Sequence, residues 1–219
     1  MSRKLVCGVG INDADYRVEH RETVGYVNGK QKQKLLWRCP FYQTWKDMLT
    51  RCFSEKFVAK FPTYIECASH ESWYLFSNFR LWMAGQDWEG NHLDKDLLFP
   101  GNKVYSPDTC IFVSQDVNNF LLDHKVTARQ YPIGVCFHSR VERLVVQCKQ
   151  LSGRSKTLGY FDDPVEAHAV WLTEKLRLAK VLAISQLDSR IASALVERYE
   201  NFHDYFTIYG IPIRDKIKC

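Results

Sequence analysis

Leu158-Gly159-Tyr160-Phe161-Asp162-Asp163-Pro164-Val165-Glu166-Ala167-His168-Ala169-Val170-Trp171 joins the end of a strand to the start of a helix. Asp162 or Asp163 supplies an N-cap oxygen, and Pro164 stands at the first helical position if Asp163 is the cap. Ala167, Val170, Trp171, Leu176 and Leu178 then predict a helix to about Leu187. Upstream, Ile133, Val135 and Phe137 alternate with Gly134, Cys136 and His138, and Leu144, Val146 and Cys148 alternate in the next run. Gly153 turns the chain before Thr157 to Phe161. This is the pattern of three short strands in a meander. Beyond the helix, Asp188 is placed to cap a last helix with Ile191, Leu195 and Tyr199 on one face.

The rest of the chain reads differently. Pro40 opens a helix whose Phe41, Trp45, Met48, Leu49 and Cys52 form one apolar stripe. A second helix is predicted from about Ser69 to Met83, crowded with Trp73, Leu75, Phe76, Phe79 and Trp82. Two aromatic-rich helices packing on each other account for that crowding. Between 84 and 122 the order is strand (Leu93 to Leu98), turn (Pro100-Gly101-Asn102), strand (Ile111-Phe112-Val113) and a short helix capped by Ser114. Residues 1–36 predict irregular or weak β structure. A small hairpin is expected at Asn28-Gly29, followed by a solvated polar stretch from Lys30 to Lys34.

With 219 residues, 46% apolar and 14% aromatic, the chain can bury one large or two small cores, and wholesale disorder is excluded. No apolar run is long enough to span a bilayer, and no apolar segment follows Met1-Ser2-Arg3-Lys4, so neither membrane nor secretory signal is expected. The eight cysteines contain no C-x-x-C pair and read as reduced, mostly buried thiols. Cys52, Cys67 and Cys110, with Cys39 or a histidine as fourth ligand, match no standard zinc spacing, so structural zinc is not expected. The net charge is +5, a mild excess that permits a polyanionic partner. Much of it lies on the C-terminal meander, where Arg140, Arg143, Lys149, Arg154 and Lys156 face only Glu142.

The C-terminal segment resembles the DNA-binding domain of plant Apetala and ethylene-response factors, which also occurs in phage and homing endonucleases. Pro132-Ile133-Gly134-Val135 and the quoted stretch from Leu158 to Trp171 carry the likeness. That family lays a three-stranded sheet in the major groove. Two of its features are replaced: the Arg after Gly-Val is Cys136, and the middle-strand Trp is Leu144. The resemblance implies that Arg140, Arg143, Gln147, Lys149, Arg154 and Lys156 contact duplex DNA, with Gln147 able to read adenine from an exposed sheet face.

Residues 40–120 resemble phage HNH-type, or His-Me-finger, homing endonucleases. Trp45-x-x-Met48-x-x-Arg51-Cys52, Trp73-x-x-Phe76-x-x-Phe79, Leu93-Asp94-Lys95-Asp96, Tyr105-Ser106-Pro107-Asp108-Thr109-Cys110 and Asn118-Asn119 carry it. It implies a divalent metal, Mg²⁺ or Mn²⁺, bound by Asp94 and by Asn118 or Asn119. It also implies a catalytic set of Asp94, Lys95 and Asp96. The usual His base is Lys95 here, and a lysine flanked by Asp94 and Asp96 is expected to stay protonated. His92 or His124 are the substitutes in reach by sequence.

The expectations are then an α+β chain. Residues 1–125 form a helical and ββα-metal-like unit, and 130–219 form a three-stranded antiparallel sheet on a helix with a further C-terminal helix. The implied setting is the cytoplasm of an infected bacterial host cell. Three functions follow: an HNH-like endonuclease that nicks or cleaves DNA, an inactive DNA-binding protein on a degenerate HNH scaffold, or a phage accessory protein that binds a host protein.

Overall fold

The computed structural model describes residues 5–122 and 131–209. The chain is α+β and divides into two compact units. One runs to Asp96 and includes Asn102–Phe112. The other holds Leu97–Gly101 and the chain from Val113 on. The expected junction at 123–131 lies almost wholly outside the described residues. The division by contacts places the short helix after Val113 with the C-terminal unit.

In the first unit, β1 (Glu19–Val27) and β2 (Lys30–Arg38) form an antiparallel ribbon. Asn28 and Gly29 have φ of 50° and 74°, the double left-handed turn that matches the twist of a two-residue hairpin. The expected turn is present. The stretch from Lys30 to Lys34, expected to be polar and solvated, is exposed throughout and forms part of the second strand of this ribbon. Helix α1 (Pro40–Phe53) buries Tyr42, Trp45, Met48 and Leu49, close to the stripe read from the sequence. The Ser54 hydroxyl then caps α2 (Glu55–Lys60), which stops before Pro62.

The predicted helix over 69–83 is broken. Ser69 belongs to β3 (Ala68–Ser69), paired parallel with β5 (Val104–Tyr105). One turn of 3-10 helix covers Glu71–Tyr74, and α3 spans Phe76–Ala84. The cause is the N-terminal segment. The Ile11 N–H donates to the Tyr74 carbonyl (2.7 Å) and the Phe76 N–H donates to the Ile11 carbonyl (3.1 Å), which requires Leu75 to be extended. Trp45, Trp73, Phe76, Phe79 and Met83 fill the core beneath, and the Trp45 Nε1–H donates to the Trp73 carbonyl at 2.6 Å. Burying each such ring is worth a few kcal/mol, so these aromatics hold the unit together. β4 (His92–Asp94) pairs with β6 (Ile111–Val113).

In the second unit, the Ser114 hydroxyl caps α4 (Gln115–Phe120) by accepting the Val117 N–H. β7 (Val135–His138), β8 (Arg143–Lys149) and β9 (Ser155–Phe161) form an antiparallel meander in the order β7-β8-β9. Val135, Leu144, Val146 and Cys148 are buried beneath α5 (Pro164–Ile184), which packs on the sheet. Asp163 is the cap: its carboxylate accepts from the Val165 and Glu166 N–H groups. Gly134 has φ of 83°, and a Cβ there would collide with the Trp171 indole, so the Gly-Val opening lies tight against α5. Helix α6 (Ser189–Tyr209) begins where Asp188 accepts the Arg190 N–H, and buries Ile191, Leu195 and Tyr199. Among the described residues no helix is long and apolar enough to cross a membrane.

Candidate functional site

The register of the β7–β8–β9 sheet sorts its side chains into two faces. Cys136, Val145 and Tyr160 stand opposite one another, as do His138 and Arg143, and Gln147 pairs with Thr157 beyond a bulge. In an antiparallel sheet paired residues share a face. These side chains therefore occupy the face away from α5. Lys149, opposite Ser155, continues the row, and both Gln147 and Lys149 are exposed. Arg140 is exposed in the turn between β7 and β8, and Arg154 in the turn between β8 and β9. The His138 ring meets Tyr160 edge-on with centroids 6.0 Å apart. Among the described residues its buried Nδ1 has no hydrogen-bond partner.

Two of the expected DNA contacts are otherwise committed. Arg143 is engaged: its Nε and Nη2 donate to the two Asp162 carboxylate oxygens at 2.8 and 2.9 Å, and that fork holds the guanidinium pKa up. Lys156 pairs with Cys148, on the α5 side. There its charge assists Arg177, whose hydrogen bonds are the main reason the Glu174 carboxyl lies below its usual range. The register shift opposite Val146 and Gln147, where Leu158 of β9 has no partner, moves Lys156 to the face opposite Tyr160. His138 and Tyr160 lie on this face without having been assigned a contact role from the sequence. For His138 the available signal was the alternation that marked Val135 and Phe137 as strand.

At the end of the sheet an open groove of ≈ 820 Å³ is lined by Gln147 and Lys149, by Asp116 and Asn119 of α4, and by Trp171 and Lys175 of α5. Asn119, expected as a metal ligand, thus meets two expected DNA contacts within one unit. Its Oδ1 accepts from Gln115 Nε2 at 2.9 Å. Lys175 is only 2% exposed. Its Nζ donates to the Phe120 carbonyl at 3.0 Å and lies 3.6 Å from the Phe120 ring centroid, with Tyr199 at 5.1 Å. Below it, His168 stacks on Trp171 and its Nδ1 bonds the Ile133 carbonyl at 2.9 Å. Burial pushes the imidazole pKa down, against the opposing pull of that carbonyl.

Asp94 ends β4 in the first unit, and its Oδ1 accepts the Asp96 N–H at 2.9 Å. Lys95 is 8% exposed, and its Nζ donates to Asp96 Oδ2 (3.0 Å) and to the Asn102 carbonyl (2.9 Å). Asn102 returns Nδ2 bonds to the Lys95 and Val104 carbonyls at 2.7 and 2.8 Å. Lys95 and Asp96 are therefore clamps of the turn between β4 and β5. The following Tyr105-to-Cys110 segment is closed likewise: Ser106 Oγ and Thr109 Oγ1 are 2.9 Å apart, and Thr109 donates to the Val104 carbonyl. Asn118 and Asn119 belong to the second unit and Asp94 to the first.

Cys52, Cys67 and Cys110 are neighbours electrostatically. Burial pushes the Cys52 and Cys110 thiols up to about 12 and raises Cys67 as well, so all three are protonated near neutral pH. Among the described residues no three His, Cys, Asp or Glu side chains are grouped so that they could together hold a metal ion. His124 lies outside the described residues. No protein-family model matches the chain, and no curated protein or solved structure is similar to it.

Proposed function

We propose that this protein binds duplex DNA through the face of the β7–β8–β9 sheet turned away from α5. The observation that carries the reading is the row of exposed Gln147 and Lys149 beside His138 and Tyr160, flanked by Arg140 and Arg154 in the two turns. Basic side chains neutralise phosphates, and an amide on a flat exposed face can pair with adenine in the major groove. The α5 face is closed by packing and does not contribute. Gln147 and Lys149 stand two residues apart on one strand, which fixes their spacing before any ligand arrives. Retardation of a labelled duplex, measured across a salt series, tests it. Binding should weaken with a log-log slope that falls by about 0.9 for each phosphate contact removed, so Arg140→Ala with Lys149→Ala should flatten it by about two. An unchanged slope overturns this surface.

A second reading adds divalent-metal nicking, favoured by the position of Asp94 at the end of β4. Magnesium is commonly held by one or two carboxylates, with waters and substrate phosphates completing its shell, so a single aspartate suits it better than it suits zinc. The metal would polarise phosphodiester oxygens. Lys95 has no part as general base in this reading, since its ammonium donates to Asp96 and Asn102. Supercoiled plasmid with Mg²⁺ or Mn²⁺ separates the readings: equal nicking by the natural protein and by Asp94→Ala removes Asp94 from any catalytic part.

A further inference from the structure

We infer that the β1–β2 ribbon is a second DNA-binding element, a two-stranded β-ribbon that enters the groove of duplex DNA and sets its lysines on the phosphates. The inference rests on the duplex-DNA reading but on a different surface, in a different unit.

Each strand has nine residues, about 30 Å of extended chain. All of its strand residues but Glu19, Gly25 and Arg38 are exposed, and Tyr26 near the tip is 69% exposed. A ribbon with no buried face is not there to close a core, and two strands alone are marginal in water. Its root is held by charge. Glu19 lies 2.6 Å from Arg38, 2.9 Å from Arg21 and 3.6 Å from Lys46 of α1. Burial would raise the Glu19 carboxyl. The Arg21 hydrogen bond and the charges of Lys46 and Arg38 outweigh that and hold it below its usual range. The basic groups at the root are thus consumed locally.

The distal half is the opposite. Lys30, Lys32 and Lys34 recur at every second position of β2, opposite Val27, Gly25 and Glu22, and so share one face. Among the described residues none of the three lysines forms an ion pair, although Glu22 is the cross-strand neighbour of Lys34. Every second residue of a strand advances about 6.8 Å, twice the ~3.4 Å axial rise per phosphate along one DNA strand. The other face carries Gln31 and Gln33 opposite Tyr26 and Thr23, groups that hydrogen-bond base edges or phosphates. A two-stranded ribbon fits the width of the major groove. Register shifts at Thr23/Gly25 and His20/Arg21 tighten the twist, as a ribbon following a helical groove requires. Positive charge at a fixed strand spacing favours a polyanion with a regular phosphate repeat over a protein strand added to the ribbon edge.

The test uses the full chain. A mixed-sequence duplex is titrated across a salt series with three proteins: the natural chain, Lys30→Ala/Lys32→Ala/Lys34→Ala, and Arg140→Ala/Lys149→Ala. The lysines are on the surface, so the ribbon variant should melt at the natural temperature. It should bind at least about tenfold more weakly near 0.15 M salt and lose about two to three from the log-log slope. An unchanged slope in the ribbon variant, with loss in the sheet variant, overturns the ribbon and leaves the sheet reading standing. The reverse pattern overturns the sheet and keeps the ribbon. No duplex binding by the natural chain overturns both. Lysine-dependent binding to phosphatidylserine vesicles, with duplex binding unaffected, overturns the ribbon inference in favour of a membrane surface.

Discussion

The β1–β2 ribbon and the β7–β8–β9 sheet are both antiparallel, both basic and both closed by short turns, yet only one of them has a buried side. In the sheet, Val135, Leu144, Val146 and Cys148 lie beneath α5, and the polar residues between them are thereby forced onto the opposite face. In the ribbon neither face is covered, so its side chains are arranged by the pairing register alone, and its root is fastened by the Glu19 ion pairs. A buried face ties the stability of a sheet to its register, since a one-residue slip would expose the core set. A ribbon without such a face can move, bend or be trimmed at little cost to the unit that carries it. The two surfaces therefore offer a ligand different things: a preset array from the sheet, an adaptable one from the ribbon.

The sharpest way to break this contrast is to perturb one glycine in each element. Gly134→Ala forces a methyl against Trp171 at a left-handed φ and should cost the second unit about 3 kcal/mol or more, read as a large drop in its thermal midpoint. Gly29→Ala also meets a positive φ, but a Cβ there has open space. It should cost about 1 kcal/mol, confined to the turn, with both thermal transitions unmoved. Equal losses from the two changes would mean that the ribbon is not independent.

A smaller effect separates the buried from the open surface by pH. His168 is neutral in its stacked position, with its pKa held below the 6.5 of the unfolded chain by burial. Below that value the unfolded state takes up a proton that the folded state resists. The second unit should thus be fully stable above about pH 6.5 and weaken as pH falls, by at most about 1.4 kcal/mol per unit from this group. Urea midpoints of the natural chain and of His168→Gln at several pH values give the difference; parallel curves would remove His168 as the cause.

The smallest effect sharpens the sheet. Asp162→Asn releases Arg143 from its fork without touching the core. Duplex affinity should rise slightly and the salt slope should steepen by up to about one. No change would leave Arg143 outside the contact set.

The sequence by itself determined the elements whose apolar period was regular. Alternation at 2 marked β7 and β8, the Gly153 turn marked the start of β9, the stripe from Trp45 to Leu49 marked α1, and Asp162-Asp163-Pro164 bounded the start of α5 to within a residue, because caps and buried faces are written in neighbouring residues. It also determined the Asn28-Gly29 turn, since few other pairs tolerate two positive φ values. It did not show the ribbon's length, because a strand with no buried face has no apolar period to read. Only tertiary structure interrupted the helix over 69–83, through hydrogen bonds from Ile11, which is distant in sequence. Only tertiary structure placed Lys156 on the α5 side and committed Lys95 to Asp96 and Asn102. The reason is the same in each case. A charge run states how many cations a segment carries, whereas a bulge, a cross-strand partner or a carbonyl seven residues away decides which of them remain available to a ligand.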